Sequence, residues 1–264
     1  VSKYPQEVTV QMIYNFIHGG AGINALARLV GARVVVVDMG VAGDLSELVK
    51  MGKIISKRTG PGTKNMVTGP AMSREEAVRA LEGGIEVALE LASSTDIFGA
   101  GDMGIGNTSP SAAIINIFSG VSVSEIAGRG TGIDDAQLLH KIAMIEKAIE
   151  TNKPNPGDAI DVLAKGGGFE IGGIAGLILG AAAARARGLC GPRRPGVRGR
   201  PVAQRVAVVA AAAARPPRGA LPAHGRVLLH RHVLQHLPPD HRRGRCGEGP
   251  AARAAGPDLL AQAR

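Results

Sequence analysis

Apolar residues follow two rhythms along the first 187 positions. Two short β-branched runs, ARVVVVDMG (32–40) and TDIFGAG (95–101), fit strands buried on both faces of a parallel sheet. Between them MSREEAVRALEGGIEVALELA (72–92) has helical periodicity, and Ser73 followed by Glu76 forms a capping box that marks its start. DDAQLLHKIAMIEKAIE (134–150) predicts a second amphipathic helix, with Asp134 and Asp135 in the first turn, where carboxylates meet the positive end of the helix dipole. NPGDAIDVLAKGGGFEIGGIAGLILGAAAA (155–184) predicts a helix, a glycine loop and a second, apolar helix. Strands alternating with helices imply the α/β class: a doubly wound parallel sheet, Rossmann-like and three-layered, with a smaller helical region.

Composition adds a boundary. The chain has 264 residues, no Trp, two Tyr and four Phe, so its core must be aliphatic. There is no apolar run of membrane-spanning length, and the start, VSKYPQEVTV, has no signal-peptide pattern. Two Cys make no disulfide framework. These features predict a cytoplasmic protein with no membrane partner. Charge is uneven: residues 1–187 carry 17 Lys and Arg against 19 Asp and Glu, whereas 188–264 carry 14 Arg, no Lys and three acids. The second segment also holds ten of the sixteen Pro and five of the seven His. The expected division is an α/β core over 1–187 and an Arg/Ala/Pro-rich region over 188–264 with little capacity to build a core.

Two readings of that region follow. One is a basic arm for nucleic acid, disfavoured by its lack of Lys, Ser and stacking aromatics. The other is a GC-rich gene read out of frame. Back-translating GLCGPRRPGVRGRP (188–201) with free third bases and shifting by one base permits GFVVLDGLVSGAA, the strand, turn and helix start that the upstream pattern calls for next. The histidines of HRHVLQH (230–236) lack a scaffold that would fix metal geometry, so no metal or redox cofactor is expected.

The stretch DIFGAGDMGIGNTSPSAAI (96–114) holds a G-x-G-x-x-G pattern at Gly99, Gly101 and Gly104. It fits a dinucleotide fingerprint, with Glu125 as the ribose-binding acid. It equally fits a mononucleotide phosphate site. Asn107, Thr108 and Ser109 precede Pro110 as a helix start would, and a helix N-terminus offers free N–H groups to a phosphate. Asp102 lies in the turn, at the carboxyl edge of the predicted sheet, and Lys141 on the 134–150 helix is a candidate phosphate cation. GPGTKN (60–65) and GRGTGIDD (128–135) are further glycine loops.

Taken in order, YPQEVTVQMIYNFIHGGAGINALARLVGARVVVVDMGV, GPGTKNMVTGPAMSREEA, FGAGDMGIGNTSPSAAI, GTGIDD with KIAMIEKAI, and NKPNPGDAIDVLAKGGGFEIGGIAGLILGAA closely resemble the nicotinate-nucleotide–dimethylbenzimidazole phosphoribosyltransferase family. The resemblance implies transfer of phosphoribose from nicotinate mononucleotide to 5,6-dimethylbenzimidazole, giving α-ribazole 5′-phosphate and nicotinate, in cobalamin assembly. It implies a homodimer and no cofactor. It places the phosphate and ribose at Gly101, Gly104, Asn107, Thr108 and Lys141, a second carboxylate at Asp102, and Gln11 in the helix bordering the benzimidazole pocket. GRCGEGPAARAAGPDLLAQA (244–263) is similar to the family's late motif, implying Glu248 as general base and Arg245 as a phosphate partner. The chain departs from the family by lacking its N-terminal segment and through most of 188–264. Two rival readings stand beside it: an NAD(P)-dependent oxidoreductase using the 99–104 glycines, and a non-catalytic protein with a nucleic-acid-binding tail.

Overall fold

Four consecutive valines, Val34 to Val37, leave a strand no polar face, so both of its faces must be covered. In the computed structural model, which describes residues 5–130, 132–189 and 206–212, they form β1 (Arg33–Asp38). In chain order the elements are α1 (Glu7–Ile17), α2 (Gly22–Leu29), β1, α3 (Ser46–Lys50), β2 (Ile55–Ser56), α4 (Arg74–Leu91), β3 (Ile97–Asp102), α5 (Thr108–Ser119), α6 (Val123–Ile126), α7 (Asp135–Asn152), α8 (Ala159–Gly166), α9 (Phe169–Leu189) and β4 (Val206–Ala212). All described residues belong to one compact unit.

The valines divide between two cores. Val35 and Val37 join a cluster with Met39, Met72, Val87, Phe169 and Leu177, built with α4 and α9. Val34 and Val36 join Ile13, Phe16, Val41, Leu45 and Ile54 on the opposite face, beneath α1 and α2. The result is the expected three-layer α/β arrangement. A third, smaller cluster, Ala112, Ala113, Val123, Ala127 and Ile145, holds α5, α6 and α7 together as the helical region.

The sheet runs β2-β1-β4-β3 and every pairing is parallel. The strands and helices expected from periodicity fall within a few residues of their observed bounds. Ser73 accepts from the Glu76 N–H at 3.1 Å while Glu76 accepts from the Ser73 N–H at 2.7 Å, completing the capping box of α4. Asp134 proves to be the N-cap of α7 and accepts from the Gln137 N–H at 2.9 Å.

One expectation needs correction. Residues 188–264 were expected to lack core-forming capacity, yet Val206–Ala212 is an inner strand paired to both β1 and β3. Its sequence, VAVVAAA, is uncharged and long enough for a strand, but arginine and proline on either side dominate any average over the region.

Parallel registration brings the strand ends to one edge. Asp38 of β1 lies opposite Ser56 of β2 and Ala212 of β4, and Asp102 of β3 lies opposite Ala211. Two aspartates therefore end strands separated by one intervening strand, about 10 Å apart by strand spacing. Among the described residues no helix is long and apolar enough to cross a membrane.

Candidate functional site

Crevices outside the carboxyl ends of parallel strands are the usual ligand sites of open α/β sheets, and the glycine turn after β3 opens there. Gly104 and Gly106 adopt φ of +83° and +86°, a conformation that side chains other than glycine rarely take. Among the described residues, a Cβ added at Gly101 or Gly104 would meet nothing within 4 Å. Met103 packs against the α1 cluster and anchors the turn. Asn107 is the buried N-cap of α5, and Thr108 opens the helix.

The dinucleotide reading of these glycines fails on this geometry. Gly99 and Gly101 lie inside β3, and only Gly104 shapes the turn. A dinucleotide fingerprint needs its first glycines in the tight turn that follows the strand. Glu125 sits on the short helix α6 and accepts from the Ser122 hydroxyl at 2.6 Å.

Asp102 is solvent-accessible but crowded by protein. Loss of surrounding water lifts its carboxyl above the ordinary aspartate range, partly offset by the Gly104 N–H and the Asn107 side chain. Lys141, on α7, is only 3% exposed. Its ammonium donates to Thr108 Oγ1 at 2.9 Å and to the Gly128 carbonyl at 3.0 Å. Among the described residues no carboxylate pairs with it, and burial pushes its pKa below the usual lysine value. The 128–130 loop lies against the same group, since a Cβ added at Gly130 would be 3.8 Å from Lys141 Nζ. A carboxylate and an unpaired cation thus flank the N-terminus of one helix, joined through the adjacent residues Asn107 and Thr108. The helix end adds its own N–H groups and positive dipole.

Of the residues singled out in the sequence, Gly101, Asp102, Gly104, Asn107, Thr108 and Lys141 gather here. Gln11 is exposed on α1, and no hydrogen bond among the described residues joins it to Asp102, Thr108 or Lys141. Glu248 and Arg245 lie outside the described residues, as does the basic segment considered for nucleic acid.

Two acids escaped the sequence reasoning. Asp38 is buried, and its Oδ1 accepts from the N–H groups of Gly40 (2.9 Å) and Val41 (2.8 Å). Burial raises its pKa, and those two amides pull it back. Glu170 is wholly buried in the first turn of α9, and among the described residues its Oε2 has no hydrogen-bond partner. Its one signal in the sequence is an acid within the apolar run GGGFEIGGIAGLILG.

A buried ammonium and a carboxylate flanking a helix N-terminus, at the carboxyl edge of a parallel sheet, suit a transferase that handles a phosphorylated ligand. A family model described as phosphoribosyltransferase matches residues 1–189. A protein of Desulfotalea psychrophila, nicotinate-nucleotide–dimethylbenzimidazole phosphoribosyltransferase, is 61% identical over 183 residues, covering 69% of this chain and 52% of that protein. One of the same name from Syntrophotalea carbinolica is 58% identical over 185 residues, covering 70% and 52%. The crystal structure of CobT from Thermus thermophilus superposes with a TM-score of 0.63 at 35% identity, covering 79% of this chain and 64% of that one. The chain belongs to the nicotinate-nucleotide–dimethylbenzimidazole phosphoribosyltransferase family. It spans about half the length of the curated relatives it matches.

Proposed function

We propose that this chain carries the phosphoribose-gripping part of an enzyme that moves phosphoribose from nicotinate mononucleotide to 5,6-dimethylbenzimidazole in cobalamin lower-ligand assembly. The observation that carries the reading is Lys141: a buried ammonium with two neutral acceptors and, among the described residues, no carboxylate. A cation held out of water without a counter-charge is costly, and an anion at the α5 N-terminus would compensate it. The ligand's phosphate supplies that charge. Thr108 and the backbone of the Gly104 turn complete the cradle.

In the transfer, the bond between C1′ of the ribose and the pyridinium nitrogen breaks, and its electron pair leaves with nicotinate. A pyridinium departs as a neutral ring, so it needs no general acid. The bond from C1′ to a benzimidazole nitrogen forms on the opposite face, with inversion. The proton on the attacking ring passes to one carboxylate base, the role of Glu248 in this reading. Arg245 is a further phosphate partner, and Gln11 borders the benzimidazole. Asp102 stands where positive charge grows on the ribose. Homodimerisation and a cytoplasmic location belong to the same proposal.

Calorimetric titration with nicotinate mononucleotide tests the grip. Removal of a hydrogen-bonded charge in Lys141→Met is expected to weaken binding about ten- to a hundredfold. Equal affinity in the two proteins would overturn the reading. Glu248→Gln should keep the binding and lose dimethylbenzimidazole-dependent release of nicotinate.

A further inference from the structure

The transfer as described leaves one buried acid without a role. Glu170 is 1% exposed, its Oε2 has no partner among the described residues, and its side chain folds back over Gly168, where an added Cβ would lie 2.6 Å from its Oε2. The absence of a side chain at residue 168 makes room for this carboxyl. A leucine or methionine would fill apolar surroundings without leaving an orphaned oxygen, so packing alone does not account for an acid here. The charge that bears on Glu170 from outside its own helix is Asp102.

We propose that Glu170 is a positioning residue that remains an uncharged carboxylic acid beside Asp102, so that one negative charge rather than two stands at the carboxyl edge of β3 when the phosphorylated ribose binds. The inference rests on the reading of this crevice as the nicotinate mononucleotide site. Two carboxylates within electrostatic reach, one of them wholly buried, do not both ionise readily, and they titrate as a pair. Loss of surrounding water lifts Asp102 too, but it is solvent-accessible, and the Gly104 N–H and the Asn107 side chain pull its carboxyl back toward the charged form. Glu170 has its own backbone N–H and is otherwise desolvated, and burial followed by the Asp102 charge lifts it to about 8. The proton therefore resides on Glu170 and the charge on Asp102.

The other charged groups nearby are otherwise engaged. Asp38 at the end of β1 faces the Gly40 and Val41 amides. On α8, Lys165 pairs with Asp161 at 2.9 Å. Glu76 at the start of α4 is held in its capping box, and Lys141 is bound to Thr108. Ionisation of Glu170 would place a second anion next to Asp102 and repel the anionic nucleotide. Nucleotide affinity should then fall about tenfold per pH unit once that carboxyl has lost its proton.

Carbon-13 NMR of the full chain labelled at the glutamate carboxyl carbon, titrated from about pH 5 to 10, tests the protonation state directly. One glutamate carboxyl is expected to titrate near 8, to vanish in Glu170→Gln, and to move to lower pH in Asp102→Asn. In parallel, nicotinate mononucleotide affinity should decline in alkaline buffer for the wild type and lose that decline in Glu170→Gln. If every glutamate titrates in the ordinary range, or if Asp102→Asn leaves the high midpoint in place, the inference is overturned. It is also overturned if the nucleotide binds with the same pH profile in wild type and Glu170→Gln, a result that leaves the proposed function standing. A high, Asp102-sensitive midpoint with no nucleotide binding at any pH supports the carboxyl pair and removes the function reading. Should Glu170→Gln fail to fold, the wild-type and Asp102→Asn titrations decide the matter.

Discussion

Replacing Gly176 with alanine tests the packing on which the site's scaffold rests. In α9, Gly172, Gly176 and Gly180 recur every four residues and form one ridge. That ridge lies against α4 so closely that a Cβ at Gly176 would sit 2.8 Å from the Leu81 carbonyl carbon and 3.1 Å from the Ile85 nitrogen. Both distances fall short of 3.4 Å, where ordinary contact begins, and the obstacles are backbone atoms that cannot rotate aside. In an open helix the change from glycine to alanine would stabilise by about 1 kcal/mol. Here overpacking costs typically about 1–3 kcal/mol and more where backbone is the obstacle. The net expectation for Gly176→Ala is a loss of about 2 kcal/mol, near 4–8 °C in Tm for a domain of this size. Gly84→Ala attacks the same seam from α4, where the Cβ would lie 2.8 Å from Leu177 N, so the double variant should cost less than the sum of the singles. Gly166→Ala is the control: in α8 its Cβ would sit 3.8 Å from Ala113 Cβ, an ordinary contact, and the variant should be neutral or more stable. Because the chain has no Trp, helix content by circular dichroism in urea is the appropriate assay. A Gly176→Ala protein as stable as the wild type would refute the close backbone approach of α4 and α9.

Three shorter predictions concern the termini and the charges. Ser73→Ala removes the N-cap of α4 and should cost about 1 kcal/mol in urea unfolding. Lys141→Met removes a buried charge with no carboxylate beside it among the described residues, so the ligand-free protein should gain thermal stability, and phosphate should raise the Tm of the wild type but not of the variant. Glu170 titrates near 8 folded against an ordinary 4.5, so between those values the folded state keeps a proton that the unfolded chain has lost. Stability should therefore fall as pH rises through that window, by at most about 1.4 kcal/mol per unit, and level off above it. Glu170→Gln should flatten this slope, and an unchanged slope in urea midpoints would count against the buried acid.

What the sequence made legible follows the range of the interactions involved. α4 and α7 carry their own caps, Ser73 with Glu76 and Asp134 with Gln137, so local chemistry marks both starts. β1 announces itself by four valines, though only the fold shows that alternate valines serve different cores. β4 was lost because seven residues of Val and Ala sit among arginines and prolines, and an inner strand is recognised by its partners on either side. The glycine pattern misled for a related reason, since spacing cannot tell a glycine inside a strand from one in the turn after it.

The site divides along the same line. Asn107 and Thr108 beside a proline form a local signal for a helix N-terminus. Lys141 meets Thr108 across 33 residues, a contact made only when α5 and α7 pack through Ala112, Ala113 and Ile145. That packing puts a lysine in a place where it lowers stability unless an anion arrives, and a fold does not keep such a group for its own benefit. Glu170 follows the same logic with the opposite sign. It is an acid placed where its charge is unwelcome, and the Asp102 charge bears on it; Asp102 is also lifted by loss of water, but the Gly104 N–H and the Asn107 side chain pull it back. Among the described residues both groups are buried without an oppositely charged partner, but Lys141 has two neutral acceptors while Glu170 Oε2 has no donor. In the proposed function, Lys141 would meet the phosphate and Asp102 the developing positive charge, with Glu170 held neutral so that a single anion faces the ligand.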